Sequence, residues 1–293
     1  MKTSPVHPRF GLEVHGLDLR TVTAERGYGE LRALFESHSL LLLRGQELDD
    51  ASHLAFGALW GPIEVRSKDP VKPPPEMSVM TNRRADGVVA GVNEPDTLWL
   101  RANQFWHTDS TFLPVPALAN ILAARIVTSR GGETEFVSTR AAWADMPEAL
   151  KARACDAVVR HRYAHSRAKL NAELARDPRI TMWEDTAWRA VHANPVNGQE
   201  ALYLASHAFG VVGLPDSEGQ ALIDELTAFA TQERYVYSHA WEVGDVIVWD
   251  ERATMHRGRP WPYEEERKLA SICITLQESD GLAGMRPPAA IAA

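Results

Sequence analysis

The stretch "FWHTDSTF" (Phe105–Phe112) sets His107 and Asp109 two positions apart among aromatic residues. An imidazole and a carboxylate are two of the three ligands of a mononuclear iron(II) site, which keeps three further positions open for substrate and oxygen. On a strand, residues two apart project from the same side, so this spacing suits shared ligation. The triplet is weak alone. A chain with 11 histidines should show a His-x-acid match about once by chance, and this chain shows it once. Unaided, it reads as readily as a hydrogen-bonded core histidine beside a surface aspartate.

A third ligand must come from elsewhere in the fold. His256 is the candidate, because "GDVIVWDERATM" before it reads as a buried strand running into a loop. A strand end fixes position while the loop allows approach. Arg267 follows, at the start of "RKLASICITL", which reads as a final strand. If that strand pairs beside the preceding one, the guanidinium projects into the same cavity, and its planar fork matches a carboxylate. A metal triad plus a carboxylate anchor is the equipment for a keto-dicarboxylic acid. One end chelates the metal and the other pairs with arginine. The plainer alternatives are a core histidine at 256 and a surface charge within "EEERK" at 267.

The elements that must position these residues read as many short strands with a few helices outside, an α+β pattern with a sandwich or barrel core. "FGLEVHGLDL" reads as a strand or hairpin, "GELRALFESHS" as a helix, and "LLLLRGQ" as a buried strand ending in a turn. "DDASHLAFGALWG" reads as a helix capped by Asp49 or Asp50. "VKPPPE" (71–76) is expected to be a loop, "MSVMTN" a strand, and residues 83–104 a long aperiodic loop. "LANILAARIV" and "SRGGETEFVS" read as strands, the second entered through a glycine turn. Residues 139–165 read as helical in two pieces around Pro147. "NPVNGQEALYLAS" reads as a hairpin with a type I′ turn at Asn197-Gly198. "PDSEGQALIDELTAFATQ" reads as an amphipathic helix capped at Asp216 or Ser217. Cys155 and Cys273 read as small core residues. His161, His165, His192, His207 and His239 lack a carboxylate two residues on and are not expected to be ligands. No linker marks a boundary, so residues 1–293 are expected to form one domain.

The bulk numbers exclude several classes. A formal net charge of −8 and a pI near 5.8 argue against general nucleic-acid binding, which needs a basic face. Two cysteines provide no disulfide framework and no Cys-rich zinc site. "MKTSPVHPRFGLEVHG" has no apolar h-region, and apolar runs such as "SLLLL" are too short to cross a bilayer. A cytoplasmic location is the expectation, with neither membrane nor nucleic acid as partner. A homo-oligomer stays open.

The motifs "NQFWHTDSTF", "ILAARIVTSRGGETEF" and "GDVIVWDERATMHRG", followed by Arg267, make the chain resemble the taurine/2,4-dichlorophenoxyacetate dioxygenase family (TauD/TfdA). The similarity is nearest to the branch that cleaves aryloxyalkanoate herbicides. It implies a double-stranded β-helix (jelly-roll, cupin-like) core flanked by helices. It also implies Fe(II) as cofactor, 2-oxoglutarate as cosubstrate, and O2. His107, Asp109 and His256 would be the metal ligands. Thr134 and Arg267 would hold the distal carboxylate of 2-oxoglutarate, and Trp249 would line its pocket.

One departure concerns the substrate. Family members that grip an anion often carry a second arginine four residues after the first, and here that position is Ser271. Arg83, Arg84 and Arg101 are the candidate replacements, with Asn82 as a candidate donor. Each reads equally as a solvated or turn residue. The resemblance implies hydroxylation of a small organic anion, with an aryloxyalkanoate first. A sulfonate, an N-acyl amino acid, and a non-catalytic cupin-like binding protein remain the alternatives.

Overall fold

The structure, a computed structural model, describes residues 1–66 and 77–288, so the loop expected at "VKPPPE" lies outside the described residues. The strands in chain order are β1 (Lys2–Pro5), β2 (Leu12–His15), β3 (Leu40–Leu43), β4 (Ser78–Thr81), β5 (Ala117–Ile126), β6 (Thr134–Ser138), β7 (Val158–His161), β8 (Thr186–Arg189), β9 (Val191–Ala193), β10 (Glu200–Leu202), β11 (Ala208–Val211), β12 (Val236–His239), β13 (Val246–Asp250), β14 (Thr254–Gly258) and β15 (Lys268–Thr275). The α-helices are α1 (Tyr28–His38), α2 (Asp50–Ala58), α3 (Pro95–Arg101), α4 (Thr139–Ala144), α5 (Glu148–Ala154), α6 (Tyr163–Ala168), α7 (Pro178–Thr181), α8 (Asp216–Ala230) and α9 (Leu282–Met285).

The larger sheet runs β1-β2-β3-β13-β5-β15-β4. Its pairs are antiparallel except β2 beside β3. A smaller sheet, β12-β6-β14, packs on one face of it through Phe136, whose ring lies 5.1 Å from Trp249. The other face is covered by α1 and α2, with Leu31, Phe35 and Phe56 against Leu41, Ile121, Val248 and Ile272. Helices α4, α5 and α8 cover the far side of the smaller sheet around Val137 and Met255. The chain is thus mixed helix and sheet, as the α+β reading expects. Among the described residues no helix is long and apolar enough to cross a membrane.

Strand alternation decides what faces the space between the sheets. On β13, Val246 and Val248 face the helices while Ile247 and Trp249 point inward. On β15, Ile272 and Ile274 face the helices, while Leu269 and Ser271 line the intersheet cavity. On β5, Asn120 registers with Trp249 on one neighbour and Cys273 on the other. Each large inward side chain such as Trp249 or Phe136, both essentially fully buried, stabilises the stack by about 1.5–3 kcal/mol. One-residue slips would turn this inner face to the helices, so the register also fixes the site.

Several sequence expectations need correction. Residues 83–104 are not all loop, because Pro95 opens α3, which continues into a 3-10 turn. Residues 139–165 contain α4 and α5 but also β7, whose β-branched valines pair with β8 and β11. The hairpin β9–β10 forms, yet no positive φ occurs at Asn197, so its turn is not type I′. Pro215, not Asp216 or Ser217, precedes α8, and Asp216 instead pairs with Arg160. Asp49 caps α2 by accepting the Ser52 N–H. Cys155 is exposed at the end of α5 and Cys273 on β15 is half-buried with its Sγ beside Arg66 and Asp109, so neither is a plain core residue.

Candidate active site

The three residues expected to ligate a metal come together, by a route different from the one expected. His107 is not on a regular strand. It forms an isolated antiparallel bridge with His256, each backbone N–H donating to the other's carbonyl at 2.9 and 2.8 Å. His256 lies within β14 rather than in a loop, and its cross-strand partner is Phe136. After Asp109 the chain turns through Ser110 in the left-handed region, φ 60°. Non-glycine residues rarely adopt that conformation, which persists where surroundings hold it. Here Ser110 is fully buried and its hydroxyl accepts from Arg66.

Nε2 of His107 lies 3.7 Å from Oδ1 of Asp109, and Nε2 of His256 lies 4.0 Å from Oδ2. These separations are too long for hydrogen bonds and leave room for one ion among the three donors. The donor chemistry fits a divalent metal. His107 Nδ1 donates to the Phe105 carbonyl at 2.8 Å, which leaves Nε2 as a lone pair. Burial pushes His256 down to about 3 and also lowers His107, so both imidazoles are neutral. Burial opposes ionisation of Asp109. The neighbouring His256, His107 and Arg66 outweigh it and hold the carboxyl well below its usual range. Ligands already deprotonated at neutral pH need lose no proton to bind metal.

Asp109 is held from behind. Its N–H donates to Glu251 Oε2 at 2.9 Å, and Asn120 Nδ2 donates to its Oδ2 at 2.8 Å. Burial, with the Asp109 charge beside it, pushes Glu251 well up, so its carboxyl is neutral. Ser271 donates to Asn120 Oδ1 at 2.8 Å. The residue standing where a second arginine was anticipated therefore lines the cavity but spends its hydroxyl proton orienting Asn120. Asn120→Ala should weaken Mn(II) or Fe(II) binding by about 10- to 100-fold, the range for outer partners of metal ligands. Metal titration monitored by calorimetry checks this, and an unchanged Kd would remove Asn120 from the site.

The triad opens into a cavity of about 380 Å³, within the range for small-molecule sites. Arg267, Thr134 and Trp249 line it too. Arg267 does not enter as expected, since β15 pairs with β5 and β4 rather than with β14. It stands just before β15 in the larger sheet, across the cavity from His256 in the smaller one. Its Nη2 donates to the Gly132 carbonyl at 2.8 Å, and its guanidinium sits over Trp261. Burial pushes its pKa down to about 10, so it stays charged at neutral pH. A Cβ on Gly132 would stand 3.0 Å from Arg267 Nε, and Gly132 has φ 73°, so the glycine of "GGET" is needed twice over. Thr134 Oγ1 accepts from the Trp241 indole at 2.9 Å, which leaves its own proton to donate. Trp249 lies tilted against His256, ring centroids 4.7 Å apart, and is both core and cavity wall.

The substrate candidates fare differently. Asn82 is fully buried and its amide is spent. It donates to the Tyr263 and Glu265 carbonyls and accepts the Arg267 N–H, so it positions Arg267 rather than facing the cavity. Arg83 pairs with Glu266, Arg84 with Asp86 and Glu94, and Arg101 with the Val92 carbonyl and Asn93. None of the four lines the cavity.

The model of the taurine catabolism dioxygenase TauD, TfdA family matches residues 2–273. This chain belongs to the TauD/TfdA family. It is 32% identical over 271 residues to the alpha-ketoglutarate-dependent 2,4-dichlorophenoxyacetate dioxygenase of Cupriavidus pinatubonensis, covering 91% of this chain and 94% of that one. It is 31% identical to the alpha-ketoglutarate-dependent sulfate ester dioxygenase of Pseudomonas putida, covering 86% and 82%. The crystal structure of AAD-2 in complex with Mn(II) and N-oxalylglycine superposes with a TM-score of 0.87 at 29% identity, covering 95% of this chain and all of that one.

Within this TauD/TfdA chain, the sequence reading missed the arginines that do reach the cavity. Among the described residues these are Arg66, Arg167 and Arg179, beside Arg267. Arg167 lies on α6 and Arg179 on α7, helices too short to show a period. His207, not expected to be a ligand, also lines the cavity. Burial first, then the nearby Arg167, hold it well below its ordinary pKa, so it is neutral.

Proposed function

We propose that this Fe(II)- and 2-oxoglutarate-dependent dioxygenase hydroxylates a small organic anion with an apolar body, an aryloxyalkanoate first among them. The observation that carries the reading is the His107–Asp109–His256 triad sharing one cavity with Arg267, a buried guanidinium whose side-chain hydrogen bond goes to a carbonyl. A site built only to hold a metal has no need of a second carboxylate anchor. The facing sheets fit the double-stranded β-helix core that the family resemblance implies. When bound, iron(II) and 2-oxoglutarate supply the oxidising power, consuming O2, releasing succinate and CO2, and converting a substrate C–H to C–OH.

The chain's own residues do the positioning. His107 and His256 would hold the metal through one imidazole nitrogen each, and Asp109 through one carboxylate oxygen. Arg267 and the Thr134 hydroxyl hold the distal carboxylate of 2-oxoglutarate. Trp249, Leu122 and Leu269 wall the cosubstrate away from water. If the hydroxylated carbon bears an ether oxygen, the resulting hemiacetal breaks its C–O bond to give a phenol and an oxo acid. Sulfate esters form the second reading, favoured by the relative that acts on them. Succinate release from 2-oxoglutarate with Fe(II) and ascorbate, screened over aryloxyalkanoates, alkyl sulfates and sulfonates, tests the reading. Stimulation by at least one of these anions is expected, and none by any of them would overturn it.

A further inference from the structure

Four arginines reach the cavity among the described residues, and their counter-charges divide them. Arg66 is paired with Glu64, and Arg179, its side chain 69% exposed at the rim, is doubly bonded to Asp177. Arg267 has no carboxylate within ion-pair distance among the described residues, and the cosubstrate answers it. Arg167 is left. It is 5% exposed, and its nitrogens meet only neutral groups: Ser166 Oγ at 3.1 Å, Tyr163 Oη at 3.1 Å and, at 3.5 Å, Asn103 Oδ1. Its Nε is buried with no partner. The rings of Tyr163 and Trp99 lie 4.5 and 5.9 Å from the guanidinium carbon. Aromatic faces attract a cation but do not replace a counter-ion, and a charge buried without one is costly.

We propose that Arg167 is the receptor for the anionic head of the primary substrate, and that this head is a monoanion, carboxylate or sulfate, on an apolar body. The proposal rests on the oxygenase reading of the cavity. Charge balance sets the valence. Asp109 and one carboxylate of 2-oxoglutarate offset the two charges of the metal, and the other carboxylate offsets Arg267. Asp96, exposed at the rim, is the remaining carboxylate of the lining and forms no ion pair with Arg167, so one buried guanidinium remains and one negative charge answers it. The walls beside Arg167 set the body. Phe112 and Tyr163 stack face to face at 3.8 Å and 4°, and Trp99 adds a further ring. An aryl or alkyl chain lying on these rings would bury apolar surface while its head reaches the guanidinium. The anion-holding role that Ser271 cannot fill is thus supplied from a helix outside both sheets.

The test uses the protein loaded with Mn(II), which replaces oxidisable iron, and saturating 2-oxoglutarate. Calorimetry measures binding of 2,4-dichlorophenoxyacetate, octyl sulfate and the neutral 2,4-dichlorophenoxyacetamide. Wild type is expected to prefer at least one anion over the amide by about thirty-fold, the worth of a hydrogen bond to a charged group. The tighter of the two anions identifies the head. Arg167→Met should erase that preference and leave 2-oxoglutarate affinity unchanged. Arg167→Lys, which keeps charge and stem but loses the fork, should keep only part of it, and carries the test alone if the methionine variant does not fold. A merely structural role would weaken anion and amide alike. Preserved discrimination in either variant overturns the proposal, as does a wild type that binds metal and 2-oxoglutarate without preferring an anion. A wild type that binds neither metal nor 2-oxoglutarate overturns the oxygenase reading and this proposal with it.

Discussion

Alanine at His107, Asp109 or His256 is expected to abolish succinate release and to weaken metal binding by more than about a hundred-fold, beyond what loss of an outer partner costs. Each variant removes one of three protein donors, and two donors cannot define the face of an octahedron that keeps the opposite positions open. Asp109→Ala also removes the negative ligand, and strands the Asn120 amide that donates to it. The fold should survive the two histidine substitutions better than their burial suggests. The bond between positions 107 and 256 runs through backbone groups, which alanine retains. The measurements are succinate yield with added Fe(II), Mn(II) titration, and thermal unfolding of the metal-free variants. Full activity in any one of the three would discard the triad.

Arg267→Ala should raise the KM for 2-oxoglutarate far more than that for the primary substrate. Removing one partner of a buried charge pair costs roughly 2–5 kcal/mol, a factor of about thirty to several thousand. Arg267→Lys should fall between, because a point charge replaces a planar fork. Steady-state kinetics with each substrate varied in turn decides it. An unchanged 2-oxoglutarate KM would mean that the guanidinium serves only Gly132 and Trp261. The pattern is the reverse of that expected for Arg167, so the two arginines can be told apart by which substrate each variant loses.

The site was legible where its chemistry is local. His107 and Asp109 sit two residues apart, and "GGET" carries both the glycine that makes way for Arg267 and the threonine beside it. Even there, the reason for the spacing was misread. The pair sits at an isolated bridge followed by a tight turn through Ser110, not on a regular strand. The sheets were legible because runs such as "LLLL" and "VIVW" are apolar on both faces, as strands buried on both sides must be. The substrate side was not legible. Arg83 looks accessible in sequence, yet Glu266 neutralises it from a distant segment, and Asn82 is consumed by carbonyls near Arg267. Helices α6 and α7 are too short to show a period, so nothing local distinguishes Arg167 from a solvated arginine.

The reciprocal backbone bond between His107 and His256 joins opposite halves of the chain. Contacts of such long sequence separation close late, because the entropy of the intervening loop must be lost before they form. During synthesis, a nascent chain that has already emitted "WHTDS" still lacks the second histidine until β14 has left the ribosome. Metal capture by the full triad therefore belongs to the finished protein and not to a folding intermediate. Once captured, the ion binds the native state and not the open chain, and at a hundred times its Kd it adds about 2.7 kcal/mol to the stability of the whole. Loss of metal would then loosen the very closure that created its site, and apo protein should be the form that proteases find first.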